Sequence, residues 1–355
     1  MKEAFVSPDL SVTIRESAIP EPGPAEILVK VICSGCNPKD WKYPAYSGAT
    51  VNSGDDVAGE VVRVGGDVYE FRAGDRVAGM HIMRTRGGSF AEYAILPAST
   101  TFHLPNTVSF EEAATIPLAA LTASVALYHN LRLPYPWEQS TKRTPVLIYG
   151  GTSAIGTFAI KLALRSNIHP LIIVAGQSRD TLGKLLQESQ GDAIIDYREG
   201  PSAVAENMQK ALKAANAGPA YHAFDAISEG GSFQTLSKVL APQGHITVVL
   251  PEADYSSIPS PITTSLTYVG VVHTGAPALS ALKGINSVAE GDGKDVGFIF
   301  SRLFGRGLAE GWFSPHAHRM VPRGLDGLSD ALQSLKGGKA RAVKYIIRPQ
   351  DTVKQ

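Results

Sequence analysis

Apolar residues in the first hundred positions come in short runs or alternate with polar ones, and turn residues break the pattern. Ile27–Ile32 is apolar apart from Lys30, Gly54–Val64 alternates around valines before Gly65-Gly66, and Gly74-Asp75-Arg76-Val77 marks another turn before Phe90–Leu96. Strand-length stretches bounded by Gly and Asp predict a mostly β first part. From about Thr115 the texture changes. Ala113–Leu131 is rich in Ala and Leu at helical spacing, and beyond it short apolar runs alternate with helical periods. The runs are Val146–Tyr149, Leu171–Ala175, Ala193–Asp196, Ala223–Asp225, His245–Leu250 and Tyr268–Val272. Strands spaced by helices predict βαβ units on a parallel sheet. Helices are expected around Phe298–Glu310 and Leu325–Lys336, then a closing strand at Ala342–Ile347. The Pro-rich piece Leu133–Trp137 and polar Glu138–Arg143 read as a surface loop before the first βαβ strand.

That first strand carries the most informative pattern. Pro145–Tyr149 is apolar, Gly150-Gly151-Thr152-Ser153-Ala154-Ile155-Gly156 is a turn of small residues, and Thr157–Ser166 continues at helical spacing. Small residues let backbone N–H groups approach a pyrophosphate, and the N-terminus of the following helix favours its charge. Ser153 stands where the pattern has its middle glycine, and its hydroxyl can donate to a phosphate while crowding it. A tight structural turn that binds nothing is the alternative. The choice of dinucleotide falls roughly twenty residues on, where an NAD site presents Asp or Glu to the ribose. Here Leu171–Ala175 runs into Gly176-Gln177-Ser178-Arg179, hydroxyl and cation rather than carboxylate, which favours NADPH. Asp180 is expected to cap a helix over Thr181–Glu188. Tyr197, after the third strand, can lie along the same phosphate. An ordinary solvated loop is the alternative for Ser178, Arg179 and Tyr197.

Length and charge narrow the classes. The 355 residues suffice for about two domains. Lys plus Arg and Asp plus Glu both number 33, with no block of like charge, which argues against nucleic acid or an anionic membrane as partner. With 44% hydrophobic and 19% charged residues the balance is globular. No apolar run is expected to approach the ~18 residues of a membrane span, and the start lacks a signal-peptide layout, which predicts a soluble intracellular protein. The two cysteines, Cys33 and Cys36, read as buried reduced thiols, because a structural zinc would need two further soft ligands.

Gly35-Cys36-Asn37-Pro38-Lys39-Asp40, Gly54-Asp55-Asp56-Val57-Ala58-Gly59-Glu60, Gly74-Asp75-Arg76-Val77 and the Tyr149–Gly156 turn, in this order, resemble the medium-chain dehydrogenase/reductase superfamily. The resemblance implies an α/β protein: a GroES-like catalytic domain over residues 1–120, completed by 276–355, and a Rossmann cofactor domain over 121–275. Zinc alcohol dehydrogenases of that superfamily hold a catalytic metal with a cysteine, a histidine or glutamate pair, and a further cysteine. This chain has Asn37 at the first place, Asp55-Asp56 at the second, and no thiol in Pro117–Ala123. A metal-free site is therefore expected. Without a Lewis acid, alcohol oxidation loses the group that polarises the oxygen. Asn37-Pro38-Lys39-Asp40-Trp41-Lys42 resembles the zinc-free branch of quinone oxidoreductases and fungal trans-acting enoyl reductases. The resemblance implies NADPH-dependent conjugate reduction of an activated alkene, with a small-molecule or carrier-bound acyl substrate, in a cytoplasmic monomer or homodimer. A non-catalytic NADPH-binding member, or one directing a pericyclic or isomerisation step, is the alternative.

Roles follow from the same resemblance. Lys42 stands where relatives carry a site-lining Lys or Tyr, and its ammonium can stabilise an enolate oxygen. Tyr46 can deliver a proton to the α-carbon. The alternatives are a surface ion pair, a packed wall and a proton from solvent. Asn37 is expected near the nicotinamide, and Thr122 beside its ribose. The end of Tyr268–Val272, with Val272 and His273, would meet the carboxamide, His273 being equally readable as a structural histidine. Lys344 would reach the 2′-phosphate region.

Overall fold

The computed structural model describes residues 1–353 apart from 177, 179 and 277–281. In chain order the strands are β1 (Lys2–Val6), β2 (Val12–Glu16), β3 (Glu26–Gly35), β4 (Asp56–Val64), β5 (Arg76–Met80), β6 (Tyr93–Pro97) and β7 (Thr101–His103). Then come β8 (Val146–Tyr149), β9 (Leu171–Ala175), β10 (Ala193–Asp196), β11 (His222–Asp225), β12 (His245–Val248), β13 (Thr263–Leu266), β14 (His318–Met320) and β15 (Lys344–Ile347). They divide between two compact units, Met1–Leu121 with Gly297–Gln355, and Thr122–Val296.

The first unit is built on a seven-stranded sheet ordered β14-β15-β3-β4-β5-β7, with β6 also on β3. Ten-residue β3 is its centre, and its Ile27, Val29 and Val31 are fully buried against Val57, Val77 and Leu96. A second cluster joins both ends of the chain: Ala4, Val6 and Leu10 pack with Leu325, Leu328 and Leu332. The C-terminal segment is thus part of this unit's core. Cys33 and Cys36 are buried free thiols, and burial pushes Cys33 up to about 12.

The second unit is a six-stranded parallel sheet in the order β10-β9-β8-β11-β12-β13, the doubly wound arrangement of a dinucleotide-binding fold. Leu147, Ile172, Val174, Ala223 and Ile246, from four adjacent strands, form its buried centre with Met208 and Leu236 from the flanking helices. Together the two units give the α/β class, GroES-like plus Rossmann, that the family resemblance implies.

Several expected elements move. The sixth strand is not Tyr268–Val272 but the more polar Thr263–Leu266, pinned by Asn286, whose Oδ1 accepts from Thr264 N at 2.7 Å. The apolar residues after it turn at Gly270, against which the Tyr268 ring packs, and Val271–Thr274 is one helical turn. Ser287 bridges Ser265 on that strand, and the second unit continues to Val296, 21 residues past the boundary expected at 275/276. The helix expected over Thr181–Glu188 shrinks to Asp180–Gly183, since Leu185 N folds back on Leu182 O. Finally, Phe110–Asn130 is, by length and composition, long and apolar enough to cross a membrane, contrary to the expectation, and 83% of its apolar window is buried inside the protein.

Candidate active site

The candidate residues fall on both units, and each set is built from its own unit. In the second, β8 delivers the chain to Gly150, whose φ of +85° no β-carbon residue adopts freely. A Cβ on Gly151 would lie 2.2 Å from the Ile173 side chain, and one on Gly156 would lie 2.2 Å from Gly150 O. These glycines exist because the turn closes onto the sheet and onto itself. Ser153 caps helix Ala154–Arg165, its Oγ accepting from Gly156 N at 3.0 Å, so its own proton stays available to a ligand. The N–H groups of Ala154 and Ile155 lie in the first turn of the helix, where backbone donors have no intrahelical partner. Thr152 completes a half-exposed rim. Such a cradle fits a pyrophosphate.

On the next strand, β9 stops at Ala175 and the Tyr197 ring lies over Gly176, where a Cβ would meet its Cε1 at 2.5 Å. Tyr197 is 51% exposed, and Ser178 is half-buried with its carbonyl accepting from Thr181 N and Oγ1. Arg179 lies outside the described residues. The neighbouring carboxylate, Asp196, is neutralised by Arg198, whose Nε lies 2.9 and 3.1 Å from its two oxygens. Thr122 is buried on helix Pro117–Ser124, and Val272 is buried in the short helix whose next residue, His273, is half-buried.

In the first unit, Pro38 opens helix Pro38–Ser47, and Asp40 returns an oxygen to Asn37 N at 2.7 Å. The helix carries both proposed catalytic residues. Lys42 is half-buried with its ammonium 5.5 Å from the centre of the Trp41 ring, while Tyr46, one turn on, is 75% exposed. Asn37 is buried, and its amide donates to Asp56 Oδ2 at 2.6 Å. That same carboxylate takes the Lys344 ammonium, which also donates to Thr115 O. Lys344, 3% exposed, is therefore committed to the interior of the first unit and is not the phosphate ligand expected of it.

The sequence reading missed Lys39, Asp55 and His81. The Lys39 ammonium pairs with Asp55 Oδ2, lies 3.1 Å from Asp40 Oδ1 and donates to Ser53 O. The other Asp55 oxygen is 2.9 Å from His81 Nδ1, whose partner nitrogen is 2.9 Å from Arg86 O. Burial pushes Asp55 up, yet the Lys39 charge and His81 outweigh it and hold the carboxyl below its usual range. Burial likewise disfavours the Lys39 charge, but Asp55 and Asp40 outweigh it and raise the ammonium above its usual value. For Asp40 burial wins and pushes it up to about 7. The available signal was a lysine inside the Asn-Pro-x-Asp turn together with a second aspartate in Gly54-Asp55-Asp56.

Residues 23–106 match the alcohol dehydrogenase GroES-like domain. The chain is 44% identical over 327 residues to trans-enoyl reductase fsr4 of Gibberella fujikuroi, covering 91% of each. The chain belongs to the medium-chain dehydrogenase/reductase superfamily. Among solved structures, this superfamily member superposes on CurK enoyl reductase with a TM-score of 0.74 at 16% identity, covering 98% of each chain. On Escherichia coli quinone oxidoreductase complexed with NADPH the TM-score is 0.70 at 17% identity, covering 98% of this chain and all of the other. At these identities the superpositions establish the fold.

Proposed function

We propose that the protein is an NADPH-dependent, metal-independent reductase of activated carbon–carbon double bonds, acting on enoyl thioesters or enones as a trans-acting enoyl reductase of a polyketide pathway. The observation that carries this reading is the engagement of the positions where zinc relatives place ligands. Asn37 spends its amide on Asp56, and Asp55 spends both oxygens on Lys39 and His81. The Asn37 NH2 and both Asp55 oxygens are thus engaged inside the protein, which suits conjugate reduction without a Lewis acid. Likeness to a trans-enoyl reductase over 91% of the chain supports the same class.

The Gly150–Gly156 turn would hold the pyrophosphate on the N–H groups of Ala154 and Ile155. Ser178, Arg179 and Tyr197 would take the 2′-phosphate, and Asn37, Thr122, Val272 and His273 would line the nicotinamide. When bound, the reduced nicotinamide supplies the hydride that adds to the β-carbon. The Lys42 ammonium holds the substrate carbonyl oxygen as negative charge develops on it. Tyr46, by contrast, stands in water, so its phenol passes a proton to the α-carbon alongside solvent rather than alone. We read the enzyme as cytoplasmic, a monomer or homodimer, with a carrier-bound acyl chain as natural substrate.

The test is loss of NADPH absorbance with an α,β-unsaturated ketone, an enoyl thioester, a quinone and a simple aldehyde, with NADH as control and with and without chelator. Consumption with the alkene acceptors, indifferent to chelator, is expected. Turnover of the aldehyde alone, or loss of activity on chelation, would overturn the reading.

A further inference from the structure

The ion cluster under helix Pro38–Ser47 has the construction of a metal centre with an ammonium at its middle. Three oxygens from three residues converge on Lys39 Nζ: Asp55 Oδ2, Asp40 Oδ1 and Ser53 O. The first two are ion pairs and the third is a hydrogen bond, so the ammonium is held from three sides. Each surrounding group is in turn held from behind, as ligands of a bound metal are. His81 Nδ1 fixes the far oxygen of Asp55 at 2.9 Å, Asn37 N fixes the far oxygen of Asp40 at 2.7 Å, and Ser53 Oγ ties the loop to Asp40 O at 2.8 Å. Asp40 and Asp55 are 0% and 1% exposed, so the two carboxylates cannot be neutralised by water and counterions.

We propose that Lys39 is a resident cation filling a site that would otherwise take a divalent metal, and that its ammonium is what keeps metal out. The proposal deepens the metal-independent reading above and asks which side chain enforces it. Two carboxylates and a carbonyl are hard oxygen donors, so the ion excluded is of the magnesium, manganese or calcium class rather than a thiophilic one. Lys39 remains 28% exposed, which gives an entering ion a path once the side chain is shortened.

The experiment is Mn2+ binding followed by loss of the free-ion electron paramagnetic resonance signal, which does not depend on reductase turnover. The wild type is expected to take up no Mn2+ at concentrations where Lys39→Ala takes up one ion per chain. The double variant Lys39→Ala/Asp55→Asn should lose at least tenfold in that affinity, and Mn2+ should raise the melting temperature of Lys39→Ala alone. A folded Lys39→Ala that binds no Mn2+, or a wild type that binds one and loses it on Asp55→Asn, would overturn the proposal. Should Lys39→Ala fail to fold even with Mn2+, the lysine ammonium nitrogen spectrum of the wild type decides. A slowly exchanging ammonium signal that vanishes in Asp55→Asn supports the resident cation, and its absence refutes it. Either result can occur with reductase activity present or absent, so failure here is distinguishable from failure of the functional reading.

Discussion

Asp56 and Lys344 stand 288 positions apart and meet as an ion pair, the two residues 0% and 3% exposed. The carboxylate is fully used: its Oδ1 accepts from Leu118 N at 2.7 Å and its Oδ2 from the Asn37 amide and the lysine. One aspartate on β4 thus ties together the Asn-Pro turn, the start of helix Pro117–Ser124 and the closing strand. Removing only the lysine leaves a buried charge with neutral partners, which typically costs about 3–5 kcal/mol. Lys344→Met should lower the unfolding free energy by about that amount in urea titrations, and adding Asp56→Asn should recover part of it. A single variant within about 0.5 kcal/mol of wild type would show that the pair is not what closes the unit.

Ser153 and Gly156 face each other in the Gly150–Gly156 turn but carry different loads. Ser153 supplies a cap, and replacing it by Ala should cost about 1 kcal/mol. Gly156→Ala pushes a methyl group to 2.2 Å from Gly150 O, a backbone atom that cannot step aside. Its cost is of the order of 1–3 kcal/mol, and the turn distorts with it. NADPH affinity, measured by fluorescence titration, should therefore fall several-fold in Ser153→Ala and be lost in Gly156→Ala. Equal affinities in the two variants would contradict this division of labour.

The contrast also shows what the sequence could reveal. Much of the local pattern was legible: the strand, small-residue turn and helix at Tyr149–Gly156, the parallel runs from β8 to β12, the Gly-punctuated β half. What depended on distant partners was not. Lys344 reads as a free basic residue near the C-terminus until β15 pairs with β3 and carries its side chain to Asp56. Lys39 and Asp55 stand in the Asn-Pro and Gly-Asp-Asp motifs, but nothing within a few positions says that their side chains meet. Thr263–Leu266 looks too polar for a strand because its hydrogen-bond partners, Asn286 and Ser287, come twenty residues later.

Asp40 makes stability depend on pH in a stated direction. Burial pushes its carboxyl up to about 7 in the folded chain, against the pull of Lys39, while an unfolded aspartate titrates near 3.9. Between those values the folded state holds a proton that the unfolded state has released. Its contribution is therefore present below about 4 and is lost as pH rises through about 7. Asp55, held below its usual range, acts only in more acidic solution and leaves that window clear. Urea unfolding from pH 5 to 7.5 should show wild-type stability falling relative to Asp40→Asn, which keeps a side-chain oxygen for Asn37 N. A difference that rises with pH instead would mean that Asp40 is ionised throughout.

Lys42 and Tyr46 lie one turn apart on helix Pro38–Ser47 and differ in what water can replace. The Lys42 ammonium is half-buried beside the Trp41 ring, whereas Tyr46 is 75% exposed. A fixed charge facing a developing enolate in a partly dry site is worth roughly 10²–10³ in rate when removed. A phenol in open solvent is a proton source that water itself can substitute. Lys42→Met should therefore lower kcat on an enoyl thioester by about 10²-fold with little change in KM for NADPH, while Tyr46→Phe should stay within about tenfold. Because the substitutions separate charge from proton delivery, the pattern is diagnostic. Should Tyr46→Phe be the more damaging of the two, the proton route runs through the phenol and the enolate is held by another group.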